Sequence, residues 1–325
     1  MTAPGQGSKS YWQFGRESTW ATAVASTKRI APLSMGVEAV IKQEKDLSLH
    51  GGMVARDIVK VNERAEGQIE TYLTYNEQLM LIDALCGTAT FGANGGSTTG
   101  AGPFTHVFTT KELFNSFTHQ LIEGNIPAGK CQRATGSKMV SLELAGEAAS
   151  IVRATWGVVG KQKETDQTPT GALSAATPLY VLTSHAVLDD GTSDVGGSDV
   201  ILKSFTFSMQ NGCVAREDCG SAYILEPMRA GPEMARLKFR REFRTKVLMD
   251  TWIAGTNLAF SLTFTSSPSS FKLEAANSRV VSFKNGIDDM DICYVEAELE
   301  AVYTSGSPDY GIKFTVVNAQ ATITT

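Results

Sequence analysis

The chain has 325 residues, 42% of them hydrophobic and 19% charged, with a net charge of −5. That is enough apolar material for one large domain or two of ordinary size, and the mild acidity excludes a protein that grips nucleic acid with its whole surface. No apolar run reaches bilayer length and the opening MTAPGQGSKS has no signal-peptide core, so neither a membrane partner nor export is expected.

In chain order, residues 1–27 read as an N-terminal arm. RIAPLSMGVEAVIKQE then reads as a strand entering a long hairpin region at 42–62, which returns through ERAEGQIETYL. QLMLIDALCG (78–87) has apolar residues at i, i+3, i+4 and i+7 and a closing Gly, the pattern of a short amphipathic helix with its C-cap. The Gly- and Thr-rich stretch 87–104 reads as a loop, and MVSLELAGEA as a strand. From Gly160 to about Ser198 the composition is that of a linker or insertion, with one short possible strand, LYVLTSH. Beyond it, VILKSFTFSMQN, ARLKFRREF, NLAFSLTFTS, DICYVEAELEAVY and YGIKFTVVN alternate or carry β-branched and aromatic residues, with a hairpin region at 211–235 and a second helix, KVLMDTWIAG (246–255).

The two helices align without a gap at an offset of 168 positions, Gly87 to Gly255. Their flanks follow in the same order: SFTHQLIEG and GSKMVSLELAGEAASIV after the first, SFKLEAANS and DDMDICYVEAELEAVY after the second. Phe117 thereby pairs with Phe271 and Glu147 with Glu298. The expected fold is mainly β, with tandem copies at 28–160 and 200–325, a linker or insertion at 161–199, and one short helix per copy.

Two charge patterns stand out. Glu296, Glu298 and Glu300 share one strand face, and Glu143 and Glu147 occupy the matching face of the first copy. Like charges at i and i+2 require solvation, so this face is wet or kept negative for a purpose. Glu63, Glu66 and Glu70 also fall in a stretch equivalent, at the 168 offset, to one carrying Lys238, Arg240 and Arg244. Opposite signs at equivalent places suggest complementary edges between subunits.

Catalytic and metal motifs fail on inspection. GNIPAGKC (124–131) approaches a phosphate loop, but Cys131 replaces the magnesium-binding hydroxyl and no apolar helix follows. His50, His106, His119 and His185 are scattered, and DDGTSDVGGSD misses EF-hand spacing. Five cysteines make no CxxC pair, which points to a reducing compartment. No enzyme activity, cofactor or metal is expected.

YWQFGRESTWATAVASTKRIAPLS resembles the start of the tail tube (major tail) proteins of long-tailed bacteriophages, with their G-x-E-x-x-x-G-T-A block. Gly15, Glu17, Trp20, Thr22, Ala23 and Val24 stand at matching places, and Ala21 replaces the usual Gly. ERAEGQIE, NEQLMLIDALCG and FTHVFTTKELFNSFTHQLIEG continue the resemblance through the first copy. The resemblance implies a structural virion protein of the tail, assembled in the host cytoplasm, whose stacked rings form a β-barrel tube for genome delivery. It implies self-association as trimeric rings with pseudo-sixfold symmetry (or hexameric rings), with the hairpin regions 42–62 and 211–235 reaching the next ring. It also implies tape measure protein and double-stranded DNA in the lumen, and tail terminator and distal tail proteins at the ends. Glu143, Glu147, Glu296, Glu298 and Glu300 are then candidates to line the lumen. A capsid decoration protein or a baseplate or tail-completion protein is the alternative.

Overall fold

The computed structural model describes residues 6–46, 57–93, 103–124, 130–171, 177–189, 202–287, 293–303 and 311–320. The N-terminal arm gives β1 (Gln6–Arg16), and β2 (Lys28–Ile30) follows it. A long hairpin, β3 (Pro32–Asp46) and β4 (Asp57–Tyr72), leads to helix α1 (Leu79–Cys86). Then come β5 (Gly87–Ala93), β6 (Phe104–Thr110), β7 (Phe117–Gly124), β8 (Cys131–Glu147), β9 (Arg153–Gly160), β10 (Gln162–Gln167) and β11 (Ala186–Asp189). The remainder runs β12 (Leu202–Gln210), β13 (Cys213–Arg216), β14 (Leu225–Arg229), β15 (Met234–Glu242), α2 (Val247–Ala254), β16 (Leu258–Ser266), β17 (Ser269–Ile287), β18 (Cys293–Ala301) and β19 (Lys313–Asn318).

Both helices stand where their apolar spacing places them. Each ends at a glycine in the left-handed region, Gly87 at φ 92° and Gly255 at φ 62°, where a Cβ would be strained. Their surroundings differ: every residue of α1 is buried, whereas α2 buries only Leu248.

An antiparallel sheet runs β3-β4-β9-β8-β12-β15-β18-β17. Two of its strands are shared with a second layer. The first half of β8 pairs with β7 and β10, and β1 continues that sheet beyond β7. The first half of β17 pairs with β16 and β19, which extend to β11 on one side and β6 on the other. Alternation sends Phe205, Phe207, Leu237, Phe239, Ala297 and Leu299 inward. They meet the second layer ring against ring, Phe205 with Phe264 at 5.6 Å and Phe207 with Phe314 at 6.1 Å. Each of the buried Phe and Leu side chains contributes roughly 1.5–3 kcal/mol.

The run β3-β4-β9-β8 and the run β12-β15-β18-β17 have the same pairing order. The last strand of each is bulged at a valine, Val140 between Met139 and Ser141, and Val281 between Val280 and Ser282. The sequences there are KMVSLE and RVVSFK. By pairing, β8 answers to β17 and β9 to β18. The sequence matching of Phe117 with Phe271 and Glu147 with Glu298 instead set β8 beside β18. Both strands alternate apolar with acidic residues, and alternation alone does not identify a strand.

Three other stretches carry structure of their own. The 87–104 stretch begins with β5, hydrogen-bonded to β6. The stretch 161–199, read as a linker or insertion, supplies β10 and β11 to the sheets, while LYVLTSH makes isolated bridges at Tyr180 and Leu182 and the 3-10 turn Thr183–His185. The hairpin β13–β14, in the region 211–235, makes contacts with its own chain: Glu63 N–H donates to Ala222 O at 3.0 Å, and Lys138 reaches Glu226 at 2.7 Å.

Candidate functional site

All five expected lumen carboxylates fall on the polar face of the long sheet, opposite the core. One row across β8, β12, β15, β18 and β17 reads Glu147, Ser204, Arg240, Glu296, Lys284. The next reads Ala145, Thr206, Lys238, Glu298, Ser282, and the third Glu143, Ser208, Arg236, Glu300, Arg279. The β18 carboxylates are therefore laddered between basic strands. Arg236 holds Glu298 at 3.3 Å and Glu300 at 2.9 Å, and Arg240 lies 4.7 Å over the Tyr294 ring.

Read across the ladders, this face is of mixed charge. Strand β8 contributes Glu143 and Glu147 to this face, and β15 and the end of β17 contribute basic residues, while on β4 Glu66 and Glu70 stand beside Arg64 and Arg153. Cross-strand opposition of unlike charges removes the repulsion that three neighbouring carboxylates would otherwise suffer.

The proposed inter-subunit pairs are also relocated. Strand β4 is flanked by β3 and β9, and β15 by β12 and β18, so neither is an edge. Glu66 pairs with Arg64 at 2.7 Å and Glu70 with Arg153 at 3.4 Å. Glu63 turns to the other face, 9% exposed and ion-paired with Lys60. Arg244, just past β15, meets Glu242 at 3.2 Å.

The edges of the long sheet are β3 and the second half of β17; among the described residues neither has a strand partner on its outer side. Both edges expose apolar side chains, Val40 and Ile41 on β3 and Val281 on β17. Helix α2 packs on β17, with Trp252 stacked on Phe283 at 5.7 Å, yet leaves Val247, Trp252 and Ile253 in solvent, Ile253 at 72%. Sequence reading missed these positions. Their signals were the two valine bulges and the apolar residues on α2 beyond one face.

The N-terminal motif serves the fold. Glu17 is buried and accepts hydrogen bonds from Ala21 N–H at 2.9 Å, Thr118 Oγ1 at 2.7 Å and Gly136 N–H at 2.9 Å, joining the arm to β7 and β8. Trp20 Nε1 donates to Gly136 O at 3.1 Å. Ala21 sits at φ 57°, in the left-handed region that favours glycine, the residue the resemblance sets there.

The histidines are dispersed. His106 bonds Asn318 and the Gln320 carbonyl, and His119 accepts from Trp12 Nε1 at 3.2 Å, with burial holding its pKa down at about 3. His50 lies outside the described residues, as do residues 125–129 of the phosphate-loop-like stretch and almost all of DDGTSDVGGSD. Cys131 opens strand β8 rather than a helix. Among the described residues no cluster of His, Cys, Asp and Glu is arranged to hold a metal, and no helix is long and apolar enough to cross a membrane. A cleft of about 580 Å³ between β6, β14 and β15 contains Arg229 and Glu233, 3.7 Å apart, with burial raising the Glu233 pKa.

The family model described as "Phage tail tube protein" matches residues 7–321. No curated protein matches the chain.

Proposed function

The chain belongs to the phage tail tube protein family, a structural component of the virion tail, and from that premise we propose that it closes into stacked rings of three chains. Each chain supplies two tube units, one in 28–160 and one in 200–325, derived from a duplicated domain. The lumen face is the polar face of the long sheet, carrying Glu143, Glu147, Glu296, Glu298 and Glu300 among the basic rows. Tape measure protein and then double-stranded DNA occupy that lumen without base contacts, and tail terminator and distal tail proteins cap the ends.

The observation that carries the reading is the pair of matched four-stranded runs joined at β8·β12, which leaves a free edge at each end of one sheet. A closed barrel removes such edges, which otherwise invite uncontrolled pairing. A capsid decoration or baseplate protein has no need of two matched runs.

Electron microscopy and native mass measurement of the concentrated protein test this. Rings or tubes built on three chains are expected. A compact monomer at every concentration would overturn the assembly, and six chains per ring would overturn the two-unit count.

A further inference from the structure

The junction between the halves of one chain is a template for the junction between chains. There β8 and β12 are antiparallel neighbours, with Glu143 opposite Ser208, Leu142 opposite Met209 and Ser141 opposite Gln210. Asn211 N–H, one residue on, donates to Val140 O at the bulge.

The matched bulges carry β8 onto β17 by 141 positions, Val140 to Val281. Followed across the neighbouring ladders, the same correspondence carries β12 onto β3 by 170: Phe205 and Phe239 are partners as Met35 and Ile69 are.

We propose that β3 of a second copy of this chain pairs antiparallel with the second half of β17, in the register of the internal junction. This deepens the ring reading and rests on it. Glu38 then faces Lys284, Ala39 faces Phe283, Val40 faces Ser282 and Gly36 faces Gly286. Ile41 takes the place of Asn211 at the Val281 bulge.

Nothing in the derivation used side-chain chemistry, yet the pairs it produces are complementary. Glu38 and Lys284 are of opposite charge and both exposed. Glu38 also meets Lys163 of its own chain at 2.9 Å, but that carboxylate side chain is 75% exposed and can accept a second cation. Gly36 and Gly286 lack close neighbours, so the two backbones approach unhindered.

The helices supply an independent reason. In the internal junction Asn211 Nδ2 donates to Leu85 O of α1 at 3.0 Å and to Met139 O at 2.8 Å, sealing the end of a buried helix. The residue of α2 matching Leu85 is Ile253. Ile41, Val281 and Ile253 are 44%, 46% and 72% exposed, and the proposed register brings them together. A polar seal inside the chain is replaced by an apolar one between chains, which suits an interface that forms after folding.

Cysteine pairs test the register in a Cys219→Ser background, since Cys219 is the exposed native thiol among the described residues. Directly opposed strand residues have Cβ atoms within disulfide reach, and those displaced by two along the strand do not. Glu38→Cys with Lys284→Cys should give covalent ring-sized multimers on mild oxidation, about tenfold faster than Glu38→Cys with Gly286→Cys. Rings by electron microscopy with faster cross-linking of the displaced pair would overturn the register and leave the ring reading standing. Failure of the unmodified chain to form rings would overturn both. Glu38→Lys or Lys284→Glu alone should weaken assembly about twofold to fivefold per contact, and the two together should recover part of it; a double reversal no better than either single one also counts against the pair.

Discussion

Ala21 occupies a position where glycine would be at ease. At φ 57° its Cβ crowds the backbone, yet its N–H is held by the buried Glu17 carboxylate, so the turn is kept despite the strain. Ala21→Gly should therefore raise stability, by up to about 1 kcal/mol offset in part by the entropy glycine adds to the unfolded chain. Glu17→Ala should lower it by about 2–3 kcal/mol, because it leaves two backbone N–H groups and a hydroxyl unsatisfied. Chemical denaturation measures both, and an Ala21→Gly protein less stable than its parent would refute the strain argument. His119 sets a different dependence. Burial keeps it neutral with a pKa near 3, whereas an unfolded histidine binds a proton near pH 6.5. Its contribution is complete above about pH 6.5 and is lost as pH falls toward 3, so His119→Gln should flatten that stretch of the stability profile. Equal slopes for variant and parent would contradict it. The sequence exposed the Glu17 motif but not its hub, because Thr118 and Gly136 are distant in the chain. That His119 is buried in an apolar setting is likewise a fact of packing.

At the scale of elements, the helices were legible and their fates were not. QLMLIDALCG and KVLMDTWIAG share spacing and cap, and each forms the eight-residue helix its pattern implies. Nothing local says that one is buried on all sides and the other on one. That difference comes from neighbours: α1 lies under the β8·β12 junction, and the equivalent place beside α2 is a free edge. Leu85→Ala, at a fully buried site, should cost the fold about 2–5 kcal/mol. Ile253→Ala, at its counterpart, should change monomer stability by less than about 0.5 kcal/mol and weaken assembly instead. Thermal unfolding paired with sedimentation separates the two effects. Loss of monomer stability in the Ile253 variant, with assembly intact, would show that the α2 face has no partner. The same contrast explains the misplaced strand correspondence. Leu142 and Leu144 on β8 and Ala297 and Leu299 on β18 show one alternation, which any half-buried strand shows. The discriminating signal was the short match of KMVSLE to RVVSFK, informative only once both valines are seen as bulges.

For the whole molecule, the composition and block order sufficed for a mainly β chain of this family, and the charge of the long sheet's polar face required the ladder. Read along one strand, Glu296, Glu298 and Glu300 are a negative wall. Read across the sheet, they lie between Arg236, Lys238 and Arg240 on one side and Arg279 and Lys284 on the other. Three chains would place the β8 carboxylates in alternation with these mixed rows around the lumen. Glu298 and Glu300 of β18 then hold the Arg236 guanidinium, which would otherwise face a passing polyanion. Converting all three to lysine would set like charges across both ladders and endanger the sheet, whereas Glu→Gln at 296, 298 and 300 keeps shape and hydrogen-bonding capacity. The triple glutamine chain should still form tubes, because none of the three lies on a free edge. Its lumen, with five basic positions per chain no longer balanced, should hold double-stranded DNA at low salt and release it as salt rises, since counterion release drives such contacts. Retention of DNA by sedimented tubes, compared with the parent from about 0.05 to 0.5 M salt, measures this. Tubes that retain no more DNA than the parent at low salt would mean that this face does not line the conduit.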